Sequence, residues 1–278
     1  MPDGDWYEKM YGLRDADILP LEPGHLCFLS DPAAPKSGHL LDAGCGTGNF
    51  LLAAQKAGFQ VTGTELDPGA IRYIQSKLRI RDVFPLTIAS FADSYPDRKF
   101  SAVTFFEVLE HQADPIAFLK AVKRCLQFGG YIALSVPNRN RWLTAPDVLD
   151  YPPNHFLRWS PRSLKNFLEA QGFELLNVRE QPVSLAYTVQ MLNSYFRTGL
   201  SRPIAGAVQP EFREVMQMAP EAAATLLATK PTTRQRLFAI LSKIKRMSLY
   251  PIAVFVWPLV RLANRKGLYL YVLARSKN

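Results

Sequence analysis

A doubly wound α/β fold is predicted, with a seven-stranded sheet whose last strand runs antiparallel and a helical insertion ahead of that strand. Three observations carry the prediction. The run His39-Leu40-Leu41 reads as a buried strand, breaks into glycines at positions 44, 46 and 48, and resumes as a helical segment over residues 50–54. From there β-forming and helix-forming segments alternate, the pattern of parallel strands joined by crossover helices. The final β-rich run, residues 268–274, comes only after some 80 residues (184–263) that the alternating pattern does not need.

Taken in order, the elements read as follows. Residues 5–11 form an aromatic-rich helix and residues 25–29 a second short one, so 1–38 make a helical cover. His25 has no partner motif nearby and is assigned to structure. Residues 59–65 are the second strand, which ends in the carboxylate of Glu65. Asp67-Pro68 opens a helix over 68–77. The third strand is expected at 84–89 and the fourth at 100–106. Asp114-Pro115 starts a helix to about residue 127, and Phe128-Gly129-Gly130 turns the chain into a fifth strand at 131–136. Ser160 caps a helix over 161–171 that Gly172 stops. Residues 173–178 and 268–274 are the sixth and seventh strands. The body is thus assigned to 39–183 and 264–278, with 184–263 inserted.

Glycines at a strand-to-helix turn let the backbone bend tightly and approach a ligand, with the helix N-terminus aimed at it. A carboxylate at the tip of the second strand suits the hydroxyls of a ribose. The spacing is G-x-G-x-G, not the G-x-G-x-x-G of dinucleotide folds, which points to a smaller nucleoside ligand. The string Leu41-Asp42-Ala43-Gly44-Cys45-Gly46-Thr47-Gly48, followed by Glu65, resembles the cofactor fingerprint of class I S-adenosylmethionine-dependent methyltransferases. The resemblance covers the first two thirds of the chain and its last strand. It implies a Rossmann-like sheet with S-adenosylmethionine as cofactor. It places Asp42, Gly44, Cys45, Gly46 and Gly48 against the methionine part and Glu65, with Leu66, at the ribose. Family members commonly carry an acid after the third strand for the adenine amino group. Ser90 stands there in this chain, so adenine contact falls to Ser90, Phe91 and backbone amides, with Glu107 also at the cofactor. Ser101 likewise stands where the family usually has Asp.

The candidates for chemistry follow the fourth strand in Glu107-Val108-Leu109-Glu110-His111. On a helical turn, positions i, i+3 and i+4 share a face, so Glu107, Glu110 and His111 are expected to converge at the carboxyl end of the sheet. Three readings compete. In the first, Glu107, Glu110, His111 and the distant His155 hold a divalent cation, Mg or Mn, that acts as Lewis acid and template. That set is similar to the ubiquinone-biosynthesis O-methyltransferases and to the small-RNA 2′-O-methyltransferases. In the second, His111 is a metal-free general base for a hydroxyl. In the third, the residues only cap a helix and support the loop. Asn138, after the fifth strand, is a candidate for orienting substrate, with Trp142 or Tyr151 as an apolar wall; a purely structural loop is the alternative.

At 278 residues, with 48% hydrophobic and 21% charged side chains, the chain has globular composition. Its three cysteines, Cys27, Cys45 and Cys125, have no C-x-x-C spacing, which argues for a reducing compartment and against a structural zinc site. No apolar stretch at the N-terminus reads as a signal peptide. The net charge of +9 is uneven: residues 230–278 carry eleven Lys or Arg and no acid, whereas the rest carries 22 basic and 24 acidic side chains. Such a tail suits an anionic partner. Leu237, Ile240, Leu241 and Ile244 line one helical face amid basic residues. The apolar run 249–260 follows, broken by Pro251 and Pro258 and too short to span a bilayer, which takes roughly 20 residues. Residues 233–262 are expected to lie on an anionic membrane surface, or else to act as a lid or homodimer contact.

The expectation is a cytoplasmic enzyme, peripheral at the inner membrane face, that O-methylates a hydroxylated aromatic or lipid-like small molecule. O- rather than N- or C-methylation is inferred from the resemblance of the acidic cluster. Two alternatives are an RNA 2′-O-methyltransferase, for which no nucleic-acid module is visible, and a catalytically silent cofactor-binding scaffold.

Overall fold

The computed structural model describes residues 21–141, 155–185, 187–189, 191–192 and 248–277. The aromatic segment 5–11, Trp142, Tyr151 and the basic face 234–246 lie outside the described residues. The chain divides into two compact units. One comprises residues 1–140, 156–181 and 269–278; the other comprises 141–155 and 182–268.

The first unit is built on a seven-stranded sheet in the order β3-β2-β1-β4-β5-β7-β6. Its strands are β1 (Gly38–Ala43), β2 (Phe59–Thr64), β3 (Val83–Phe84), β4 (Phe100–Phe106), β5 (Leu126–Pro137), β6 (Phe173–Gln181) and β7 (Tyr269–Ser276). β1 to β5 pair in parallel, and β7 inserts antiparallel between β5 and β6. Strand order reverses between β1 and β4, and in open sheets of this kind the crevice at such a switch point binds ligands. Helices cover both faces. α1 (Pro23–Ser30), α2 (Asn49–Lys56) and α3 (Pro68–Tyr73) bring Phe28, Phe50, Leu51 and Ile71 against Leu40, Val61 and Tyr271. On the opposite face, α4 (Ile88–Ser94), α5 (Pro115–Cys125) and α6 (Pro161–Ala170) bury Phe91, Phe118, Leu119, Leu164 and Leu168 against Val103, Phe105 and Leu134. Strands covered on both faces read as continuous apolar runs, which is why β4 and β5 stood out in the sequence.

Four local expectations are corrected. The third strand does not reach residue 89. Pro85 lacks the N–H a ladder needs, and the Thr87 hydroxyl accepts the Ser90 amide at 3.1 Å, so the chain is captured as the start of α4. The helix expected over 68–77 gives way after Tyr73 to a wider turn at Ile74–Leu78. Phe128-Gly129-Gly130 is not a separate turn before a strand. β5 already begins at Leu126, and its register against β4 jumps from Phe100↔Leu126 to Ala102↔Tyr131, so the residues between bulge outward. Helix α5 accordingly stops at Cys125.

In the second unit, α7 (Tyr250–Ala263) is one helix. Neither proline breaks it. Pro251 sits in the first turn, where no N–H is required, and Pro258 costs one internal hydrogen bond without ending the helix. Ala253 packs with Val189 and Leu249, and the Trp257 indole donates to the Val183 carbonyl at 2.8 Å. No helix among the described residues is long and apolar enough to cross a membrane.

Candidate cofactor and active site

Because β1 and β2 run in parallel with Ala43 opposite Thr64, their carboxyl ends emerge side by side. The backbone exploits this at once. The amides of Gly44 and Cys45 both donate to the Thr64 carbonyl, at 2.8 and 3.0 Å, folding the glycine loop over the end of β2. Glu65 completes the turn. Its carboxylate accepts from the Gly46 amide at 2.8 Å, from Leu66 at 2.7 Å and from Asp67 at 3.0 Å. Three backbone donors thus aim a half-exposed carboxylate along the loop.

Two glycines in this loop have no substitute. Gly44, at a φ of 74°, would press a Cβ to 2.8 Å from Val108 Cγ2. Gly48, at 75°, caps α2 in the left-handed region and would bring a Cβ to 2.7 Å from Ile74 Cγ1. Under the loop, Asp42 is buried and accepts from the Thr104 hydroxyl at 2.6 Å. Burial, with Glu65 and Glu22 adding negative charge, pushes its carboxyl up to about 7, and the Thr104 bond opposes the rise. Cys45 is buried and its thiol is pushed well up by desolvation, so it is packing, not a nucleophile.

Ser90 sits exposed in the first turn of α4, where its amide and hydroxyl both face Thr87. The Phe91 ring is fully buried among Phe84, Tyr95 and Phe100, so its backbone alone can border a ligand. Leu66 is exposed beside Glu65.

The acidic cluster after β4 does not sit on one helical turn as expected. Only Leu109–His111 is helical, as a single tight turn. Glu107 lies before it with φ of 54°, a left-handed conformation a glutamate seldom adopts. The i, i+3, i+4 alignment therefore fails for Glu107. Its carboxylate turns to β5 and accepts the Ser135 hydroxyl at 2.6 Å, while its amide donates to the Ser135 carbonyl at 3.0 Å. Glu110 points inward, 1% exposed, and neither carboxylate oxygen meets a hydrogen-bond donor. Desolvation first, and the charge of Glu107 second, hold its proton to well above the usual carboxylate range. His111 is exposed, with a ring nitrogen within 4.8 Å of a Glu110 carboxylate oxygen. The Glu110 carbonyl accepts the amides of Phe156 and Leu157, at 2.9 and 3.2 Å. His155 precedes that segment in the chain but belongs to the second unit. Asn138 is fully buried: its side-chain oxygen accepts the Asn140 amide at 2.9 Å, and its backbone bridges to Trp159.

Sequence reasoning missed the part played by α1. Gly24 is buried, and a Cβ there would come to 3.0 Å from Ser135 Cβ and Oγ and 3.1 Å from Phe106. The helix therefore presses on the very serine that holds Glu107. One residue on, His25 stacks on Phe50 at 5.0 Å, meets Phe106 edge-on at 4.8 Å, and accepts the Glu22 amide on Nδ1 at 3.1 Å. Burial lowers its pKa to about 4, so it is a neutral wall residue, in keeping with the structural assignment. A lone glycine ahead of a histidine gave no periodic signal from which to find this contact.

The residues present fit a sulfonium nucleoside: glycines where a side chain would intrude, and a fixed carboxylate for ribose hydroxyls. The comparisons agree. A family model described as a methyltransferase domain matches residues 21–178. A ubiquinone biosynthesis O-methyltransferase from Idiomarina loihiensis is 35% identical over 159 residues, covering 53% of this chain and 63% of that protein. The chain thus spans less than two thirds of that relative's length. Among solved structures, a protein from Bacillus halodurans superposes with a TM-score of 0.53 at 13% identity, covering 91% of this chain and 99% of that one. A coclaurine N-methyltransferase bound to N-methylheliamine and S-adenosylhomocysteine superposes at 0.52 with 13% identity, covering 91% of this chain and 71% of that one. With sheet order, glycine loop, Glu65 and a family model over more than half its length in accord, the chain belongs to the class I S-adenosylmethionine-dependent methyltransferase family.

Proposed function

We propose that the protein is an S-adenosylmethionine-dependent O-methyltransferase for a hydroxylated aromatic or lipid-like small molecule. The observation that carries the reading is the Glu65 carboxylate, fixed by three amides beside a glycine loop, with Glu107, Glu110 and His111 at the next strand end across the switch point. Bound S-adenosylmethionine supplies a methyl group activated on a sulfonium. The chain's own residues do the rest. Glu65 holds the ribose hydroxyls, the glycine loop admits the methionine part, and Ser90 with the Phe91 backbone borders the adenine. Transfer requires only that an acceptor oxygen be aligned and lose its proton. His111 is the exposed base at this strand end and would take the acceptor's proton on transfer. Glu107, locked by Ser135, adds its negative charge beside Glu110. Asn138 orients the loop at the rim.

A divalent cation is a second reading, favoured by Glu110. A buried carboxyl with no donor, beside a second carboxylate and a histidine, matches the donor set of a Mg or Mn site. The cation would lower the acceptor's pKa as a Lewis acid.

The O-methyl assignment leans on the Idiomarina relative's name and on the oxygen- and imidazole-rich cluster, which suits deprotonating a hydroxyl. The test is transfer of a labelled methyl group to hydroxylated quinone precursors, hydroxylated lipids and short RNAs. Label in a phenolic or lipid hydroxyl supports the reading; label only in RNA, or in none of them, contradicts it. Full turnover in chelator favours the His111 base. Loss of turnover restored by Mg or Mn favours the cation.

A further inference from the structure

We infer that α7 is a docking face for an anionic lipid surface, an inference that goes beyond the proposed reaction and stands apart from it. The helix is apolar on both its buried and its exposed side. Its inner side is anchored within its own unit by Ala253 and by the Trp257 indole bond to Val183, and Val260 on the same side is buried. Its outer side is nonetheless apolar: Phe255 is 82% exposed, Leu259 and Leu262 are each 68% exposed, and Ile252 is 45% exposed. On a helix these four positions fall within one broad stripe. Among the described residues these four side chains join no apolar cluster, and their apolarity calls for an external partner.

Charge selects that partner. At the carboxyl end of the helix stand Arg261, Arg265 and Lys266, all exposed; Arg261 flanks the stripe on the side of Trp257, over whose ring it lies at 5.4 Å. From residue 230 to the end of the chain there are eleven basic side chains and no acidic one. A second copy of the chain would bring these like charges together, which opposes self-pairing. A nucleic acid would satisfy the cations but leave Phe255, Leu259 and Leu262 in water. A bilayer with anionic headgroups answers both. At 14 residues the helix is about 21 Å long, too short for a hydrocarbon core of about 30 Å, so it lies in the plane of the interface.

The test uses the full chain in vesicle flotation, with phosphatidylcholine alone and with phosphatidylcholine containing phosphatidylglycerol. Wild type is expected to float with the anionic vesicles, poorly with the neutral ones, and less as salt is raised. The variant Phe255→Ser/Leu259→Ser/Leu262→Ser should lose about tenfold in partitioning on anionic vesicles. Arg261→Glu/Arg265→Glu should lose a similar factor there. S-adenosylhomocysteine affinity and the melting temperature, measured on each variant, show that the fold is intact. Those controls also separate a failure here from a failure of the methyltransferase reading. Wild type that stays with neither vesicle, or an apolar variant that floats as well as wild type, overturns the inference. So does a wild-type dimer that the apolar variant converts to monomer in the absence of any vesicle binding.

Discussion

Glu107 sits on a strained backbone, with φ of 54° where glycine would sit freely. That conformation costs a non-glycine residue about 1 kcal/mol. The Glu107 carboxylate accepts the Ser135 hydroxyl, and a glycine would adopt the same backbone without that strain. Glu107→Gly is therefore expected to leave the melting temperature unchanged or raise it slightly while turnover collapses. A melt combined with a methyl-transfer assay checks this, and parallel loss of both would make Glu107 structural. Asp42 makes a different prediction, about pH. Its folded pKa of about 7 lies above its ordinary 3.8. A raised folded pKa means that its contribution to stability is full below 3.8 and is lost as pH climbs through about 7. Asp42→Asn cannot ionise. Its melting temperature, relative to wild type, should thus be higher at about pH 8 than at about pH 5, by several degrees. An equal offset at both pH values would mean that Asp42 stays charged. His25 works on the other side: its pKa of about 4 lies below 6.5, so its contribution is lost as pH falls through that window.

At the scale of elements, the sequence declared what depends on local patterning and concealed what depends on close approach. The fourth strand begins and ends where its apolar run does, at Phe100–Phe106, and Ser160 caps α6 through the Ser163 amide at 3.1 Å as its position implies. The glycine loop and Glu65 were legible because a strand, a turn and a second strand each leave a local mark. The third strand was not, since apolar residues 84–89 look β-forming until the Thr87 hydroxyl takes the Ser90 amide. Nor was the left-handed Glu107, which no residue preference announces, and its displacement is what breaks the expected alignment with Glu110 and His111. Gly24 against Ser135 is a tertiary fact with no local counterpart. These contacts set two expectations. Thr87→Ala should cost about 1 kcal/mol in a denaturant titration, as lost N-caps do, and an unchanged midpoint would remove the cap as the cause of the short third strand. Gly48→Ala should both destabilise the protein by about 1–3 kcal/mol and weaken cofactor binding, because the new Cβ meets Ile74 in a left-handed backbone. Wild-type affinity in that variant would mean that the loop has room to adjust.

For the whole molecule, the division of labour follows the division of charge. The first unit holds the switch point, the glycine loop, Glu65 and the acidic cluster, all supplied by residues near electrostatic balance. The second unit carries the helix whose apolar and cationic groups look outward. Under the two proposals, chemistry and docking rest on different stretches of chain, and each is expected to be disabled alone. The claim beneath the chemistry is that a sulfonium nucleoside binds where β1 and β2 end. Calorimetric titration of S-adenosylhomocysteine into wild type and Glu65→Ala tests it most directly. Saturable binding by wild type, weakened about tenfold or more in the variant, is the predicted result; absence of heat with wild type, or equal affinity in the two proteins, would contradict it.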